Sequence, residues 1–480
     1  MRTSLPPRRP ITALALLLSA CGPSGPKGGD PSADTGSAAP DDSGDPDPDD
    51  SASSAPRLSA LEGLGALNLI VVHTDTLRAD HMGLYGYDRD TSPSASAAGP
   101  LVVLGYHGAA SWTLPGTASA LSGQWPEHHG RTGLGTPPDD ATLDTLTQQL
   151  RAAGYATGLF SGSQLIASDA QLRQGFDERL DVPDLHDTET QAMASLVVHA
   201  TEWVETIPED QPFFLWFQPM DTHTPYRPQL PFRGTWADYD ALPFSLAADS
   251  DEQERAYTDA WSAATSDAER QALEQNVRAV YDELVLQQDA GVGALLDWLA
   301  ETGRAERTLV VLSSDHGETI SDDGGATLAH GRSLRPELIG LPLALINPAL
   351  PAEAVSCLSS NVDLAPTLLR ALGLPDMVAV DGQPLQEGCR DVVFSSTYLL
   401  EEGTEEPIWM LSASDPRYKL DWDCIEARGA LYDTSVDPHA LSPIDPSGAP
   451  ESAGLHDALV AYLADAQLIR PDLRCPVAQR

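Results

Sequence analysis

Positive charge is scarce in this sequence: 28 Lys plus Arg stand against 71 Asp plus Glu, giving a formal net charge of −43 over 480 residues. A field of that sign repels nucleic acid and other polyanions and favours solubility, so nucleic acid is excluded as a partner. An anionic substrate has to be held by local cations or by a metal. Cysteines at metal-site spacing are missing too, with no C-x-x-C pair anywhere, which excludes a cysteine-ligated zinc site. No apolar run beyond the first twenty residues is long enough for a transmembrane helix, and no internal repeat suggests a solenoid or propeller. The length allows two to three domains, or one large α/β sheet with a sizeable core.

At the N-terminus, Arg2, Arg8 and Arg9 precede the apolar run Ile11 to Leu18, which meets Leu18-Ser19-Ala20-Cys21. The run is too short to span a bilayer as a mature helix and reads as an export signal. Its ending resembles a bacterial lipobox, which implies removal of residues 1–20 and lipidation of Cys21. About four in five of residues 22–56 are Gly, Pro, Ser or Asp, so residues 21–56 are expected to form a disordered acidic tether. The expectation is an exported protein, lipid-anchored to a bacterial membrane and facing the periplasm or the exterior. Its oligomeric state is left open. The remaining cysteines, Cys357, Cys389, Cys424 and Cys475, suggest two disulfides with three possible connectivities.

From residue 68 short apolar, β-branched runs alternate with helical periodicity, the pattern of an α/β sheet with crossover helices. Strands are expected at 69–73, 156–160, 213–217 and 308–312, each passing into polar residues at its carboxyl end, where open α/β sheets bind ligands. A long amphipathic helix is expected over 268–302, with Tyr281 and Trp298 in its core stripe. Residues 57–355 are read as a catalytic core. Residues 356–480 are read as the C-terminal part of the same fold with a smaller α+β subdomain: a helix near 360–372, strands near 391–395 and 418–422, and a closing helix over 455–468.

Asp75 follows the first strand, and Asp315 and His316 follow the fourth. With the Thr113 hydroxyl they offer four N/O ligands, suited to Zn²⁺ and acceptable to Mn²⁺. Thr113 precedes Leu114-Pro115 and a small-residue run, which puts it at a helix N-terminus where free N–H groups favour an anion. A nucleophilic hydroxyl beside a metal can attack sulfur or phosphorus. His223 and His330 could hold a substrate oxygen or protonate a leaving group, or with Asp221 could bind a second metal. His129-Gly130 reads as packing or turn chemistry.

These segments resemble the sulfatase family of the alkaline-phosphatase superfamily over roughly residues 68–440. The resemblance rests on Asn68 to Gly83, on Ser314-Asp315-His316-Gly317-Glu318, on His223-Thr224-Pro225-Tyr226, on Val362 to Leu369, on Gly373 to Gly382, and on Leu431-Tyr432-Asp433 with Asp437-Pro438. It implies an α/β fold with a central mixed, mostly parallel sheet flanked by helices. The nucleophile segment differs from the family's C/S-x-P-S/A-R, being Thr113-Leu114-Pro115-Gly116-Thr117, and it is similar to a subgroup with threonine at that place. Threonine cannot become formylglycine, the family arginine is replaced by Thr117, and the paired aspartates are replaced by Asp75-Thr76.

The resulting expectation is a sulfatase-like, metal-dependent hydrolase of small sulfate or phosphate esters. Asp75, Asp315, His316 and Thr113 would hold one divalent ion, Zn or Mn ahead of Ca or Mg, and Thr113, His223 and His330 would be catalytic. The alternatives are a phosphodiesterase or phosphoethanolamine-type transferase, and a catalytically degenerate binding lipoprotein.

Overall fold

The computed structural model describes residues 58–476 except 63, 65–67, 133–142, 182–191, 323, 326, 379, 401–406 and 470–474. The expected signal, the tether and Cys21 lie outside the described residues. Eight strands form the central sheet in the order β10-β2-β9-β6-β1-β5-β3-β4. They are β1 (Asn68–Thr74), β2 (Leu101–His107), β3 (Ala156–Ser161), β4 (Glu178–Asp181), β5 (Phe213–Gln218), β6 (Thr308–Ser314), β9 (Leu343–Ile346) and β10 (Glu353–Ser360). Neighbours run parallel except at β9, which is antiparallel to both β2 and β6. The sheet is therefore mixed and mostly parallel, as the resemblance implied.

The central strands are apolar on both faces because both faces are covered. In β1, Leu69 and Val71 point into one core, which includes Ala118 and Leu121 of the helix Thr113–Ser122 and Leu364 and Leu368 of the helix Leu364–Ala371. Ile70 and Val72 point into the other, against Leu196 and Ala200 of the helix Met193–Val204 and Val292, Leu295 and Leu299 of the long helix. That long helix runs Asp267–Glu301, within one residue of the expected bounds, and the Ser266 side chain caps its N-terminus by accepting from Glu269 N–H.

A second sheet is antiparallel in the order β11-β12-β13-β14, and the helix Ala453–Ile469 packs on it. Its strands are β11 (Val393–Leu400), β12 (Pro407–Ser414), β13 (Tyr418–Asp423) and β14 (Arg428–Asp433). β10 crosses position 355/356 and pairs with β2, so the chain returns to the large sheet after residue 355 before the small sheet begins at Val393. A short hairpin, β7 (Thr319–Ile320) with β8 (Leu328–Ala329), carries the chain from β6 toward His330. Of the three connectivities open to the four cysteines, the structure forms Cys357–Cys389 and Cys424–Cys475. No helix among the described residues is long and apolar enough to cross a membrane.

Candidate active site

β1 and β6 are adjacent and parallel, with Thr74 opposite Ser314, so the residues that follow them leave the sheet side by side. This brings Asp75 together with Asp315 and His316, all buried, with one ligand atom of each within 4.8 Å of the others. The turn after β1 is tightly held. Thr222 Oγ1 donates to the Asp75 carbonyl at 2.6 Å, and Ser314 Oγ donates to the Thr74 carbonyl at 2.8 Å. Thr76 has φ 62°, a left-handed conformation unusual for a β-branched residue, so it is strained and must be held by its surroundings. The Tyr281 hydroxyl supplies that restraint, donating to the Thr76 carbonyl at 2.7 Å and accepting from Arg78 N–H at 3.0 Å. Tyr281 is thus core, as expected of its stripe, and also a clamp on the site.

Thr113 opens the helix Thr113–Ser122. Its Oγ1 lies 3.3 Å from Asp75 Oδ2 and 3.3 Å from His316 Nε2, so the four expected ligands converge. The helix can approach this closely because residue 116 is glycine: a Cβ there would stand 2.5 Å from the Asp315 carbonyl oxygen. Asn361 locks the approach, donating from Nδ2 to the Gly116 carbonyl at 3.1 Å and accepting from Ala109 N–H at 2.9 Å. Thr117, where the family carries arginine, is fully buried and its hydroxyl has no partner. Lysine does not compensate, since the chain has two, Lys27 and Lys419, and Lys419 is buried in β13 against Asp421.

The donor set fits a divalent cation. Asp75 Oδ1 is buried without a hydrogen-bond partner. His316 Nδ1 lies 2.8 Å from the Gly317 carbonyl, which fixes the proton there and leaves Nε2 as a lone pair facing Asp75. Burial raises the Asp75 carboxyl, and the neighbouring imidazoles of His223, His316 and His330, whenever protonated, outweigh burial and lower its pKa. Burial, with the Asp75 charge added, pushes Asp315 well above the usual carboxylate range, and a dication would remove that penalty. A second carboxylate-imidazole group, Asp322, Glu337 and His439, differs because Asp322 is already paired with Arg78 at 2.7 Å and Arg278 at 2.5 Å.

His330 and His223 close the pocket. The His330 ring is centred 4.5 Å from that of His316 and 5.1 Å from that of His223. The His223 Nδ1 bonds the neighbouring Thr224 carbonyl, and burial lowers its pKa, so the ring is held neutral. Asp221 does not join them. Its carboxylate accepts from Met193 N–H at 2.7 Å and Gln287 Nε2 at 2.9 Å, and burial raises its pKa to about 6. His129 is a packing residue, with Nε2 3.1 Å from Ser119 Oγ.

Two polar residues were not singled out from the sequence. Gln218 ends the apolar strand β5 and donates from Nε2 to Asp315 Oδ2 at 3.0 Å, orienting a ligand carboxylate from outside the ligand set. A lone polar residue closing an aromatic strand was the available signal. Glu318, quoted only as part of a motif, is buried with Oε1 3.2 Å from His330 Nδ1.

An open α/β sheet with a buried carboxylate-imidazole pocket over its strand ends, and a hydroxyl at a helix N-terminus facing it, defines a class of ester hydrolases. The sulfatase family model matches residues 67–374, and the chain belongs to the sulfatase family. Its enzyme class is that of hydrolases acting on sulfuric and phosphoric ester bonds. Human arylsulfatase A is 26% identical over 414 residues, covering 78% of each chain. A low-salt glycan biosynthesis sulfotransferase, Agl7, of Haloferax volcanii is 43% identical over 82 residues, 16% of this chain and 20% of that protein. Among solved structures, BT4656 in complex with its substrate D-glucosamine-2-N,6-O-disulfate has a TM-score of 0.65 at 19% identity, covering 85% of this chain and 99% of its own. Phosphonate monoester hydrolase of Agrobacterium radiobacter has a TM-score of 0.64 at 18% identity, with 84% and 95% covered.

Proposed function

We propose that this protein is a metal-dependent hydrolase of small sulfate or phosphate esters in which Thr113 is the nucleophile. The observation that carries the reading is the placement of Thr113 Oγ1 at a helix N-terminus, 3.3 Å from both Asp75 Oδ2 and His316 Nε2. Asp75, Asp315, His316 and Thr113 would hold one divalent ion. Bound there, the ion supplies Lewis acidity and the countercharge that the lysine-poor pocket lacks. In the first step Thr113 Oγ1 bonds to the sulfur or phosphorus, its proton passing to solvent, while the ester oxygen leaves with a proton from His330. In the second step water attacks the threonine ester and gives a proton to His330, and the departing Thr113 oxygen takes a proton back from solvent. His223 holds a non-bridging substrate oxygen. The N-terminal segment supports export and attachment to a membrane through a lipid on Cys21, and the two disulfides fit an oxidising compartment.

A phosphorus centre is favoured by one feature. Thr113 has a single hydroxyl, so its covalent adduct can be released only by attack of water at the central atom, a route that metal-assisted phosphoester chemistry provides. A related phosphodiesterase or transferase reading shares this step and differs in the acceptor. The test is metal analysis of the purified protein with paired aryl-sulfate and aryl-phosphodiester assays. Thr113→Ala is expected to lower turnover by at least about 10³-fold while retaining measurable metal. Absence of bound metal, together with no hydrolysis of either ester by wild type or Thr113→Ala, would leave only the binding-protein reading.

A further inference from the structure

Glu318 is a buried carboxylate that the ligand set and the nucleophile leave unused. It enters the site because residue 317 is glycine, where a Cβ would collide with the Glu337 carbonyl oxygen. Its Oε1 lies 3.2 Å from His330 Nδ1, its Oε2 is buried with no hydrogen-bond partner, and the side chain is fully buried while that of His330 keeps 22% of its surface open. The neighbouring cation does not neutralise it. Arg78 directs its guanidinium to Asp80, to Asp322 and to the Glu318 backbone carbonyl, not to the Glu318 carboxylate. A buried carboxylate is costly unless something answers its charge, and among the described residues its hydrogen-bonding partner is an imidazole facing the reaction.

We propose that Glu318 is the positioning residue for proton delivery to the leaving group, an inference that rests on the hydrolase reading above. The carboxylate accepts the Nδ1–H of His330 and turns Nε2 toward the pocket shared with His316 and His223, so that the imidazolium holds the proton to be delivered on Nε2 and the neutral ring left after delivery keeps its remaining proton on Nδ1. As the Thr113 oxygen bonds to the central atom, the bond to the ester oxygen breaks, its electron pair stays on that oxygen, and the Nε2 proton moves to it. When water later cleaves the threonine ester, Nε2 takes a proton from the water and the cycle balances. Esters of poorly acidic alcohols depend on this proton; nitrophenyl esters, whose leaving group is stable as an anion, depend on it far less.

The test compares a 4-nitrophenyl ester with the alkyl ester of the same acid, using the holoenzyme and the variants Glu318→Gln, Glu318→Leu, His330→Asn and Glu318→Leu/His330→Asn. The expected result is a ratio of kcat/KM, nitrophenyl over alkyl, that rises at least about tenfold in Glu318→Leu. It should rise less in Glu318→Gln, whose amide oxygen still accepts from Nδ1–H, and no further in the double variant than in His330→Asn. A turnover-free check is ¹⁵N NMR of the His330 ring at a pH where it is neutral: its remaining proton should sit on Nδ1 in the wild type and lose that preference in Glu318→Leu. Equal losses on both esters, additive losses in the double variant, or a wild-type ring unprotonated at Nδ1 would overturn the proposal while leaving the hydrolase reading intact. A wild type inactive on both esters would sink both readings together.

Discussion

Thr113 and Thr117 lie four residues apart on one helix and differ only in what surrounds them. Thr113 faces the Asp75 carboxylate and the His316 imidazole, whereas Thr117 is buried with its hydroxyl unpartnered among the described residues. The position where the family carries a cation is therefore a buried, uncharged side chain in this protein. Gly116 is the more constrained residue. Gly116→Ala is expected to cost about 1–3 kcal/mol, since its Cβ would overlap the Asp315 carbonyl and push the nucleophile off the ligands. Chemical denaturation checks the stability, and kcat/KM should fall with it. A variant of full stability and activity would show that the helix does not need this approach.

Between elements, the site is held by residues that are neither ligands nor nucleophile. Gln218, at the end of β5, bonds Asp315, and Gln218→Leu is expected to weaken divalent-metal affinity about 10–100-fold with the fold retained, measured by titration calorimetry. The loops after β1 and β6 are joined to the long helix by Arg78, Asp322 and Arg278. Burial alone would raise the Asp322 carboxyl, but the two guanidinium charges hold it at about 2, below the unfolded value of 3.8. The folded state thus keeps Asp322 charged where the unfolded chain takes up a proton. Its stabilisation, about 2 kcal/mol, is present above pH 4 and lost as pH falls from about 4 to 2. The melting temperature of the wild type should drop across that window more steeply than that of Asp322→Asn, and parallel profiles would refute the assignment. Element types and bounds were legible from periodicity: 268–302 was expected helical, and Asp267–Glu301 is. The Tyr281 hydroxyl clamp was not, because periodicity reports which face is buried and not what a buried hydroxyl bonds.

For the whole molecule, two disulfides secure the C-terminal third. Cys424–Cys475 ties the end of the chain to the segment between β13 and β14 and joins positions 51 residues apart. Replacing both cysteines by serine is expected to lower stability by about 3–4 kcal/mol with the metal site intact, read by denaturation and metal content. The sequence by itself determined the fold class, the strand ends that carry chemistry, and the candidate set Asp75, Thr113, Asp315, His316, His223 and His330. Apolar periodicity and the handover from strand to polar residue are local signals, written in consecutive residues. Only the tertiary structure decided the disulfide pairing, the diversion of Asp221 to Met193 and Gln287, and the partnership of Gln218 with Asp315 and of Glu318 with His330. The physical reason is that these depend on which loop ends meet over the sheet. That is set by the strand order, which places β1 between β5 and β6, and by a helix approach that one missing methyl group permits.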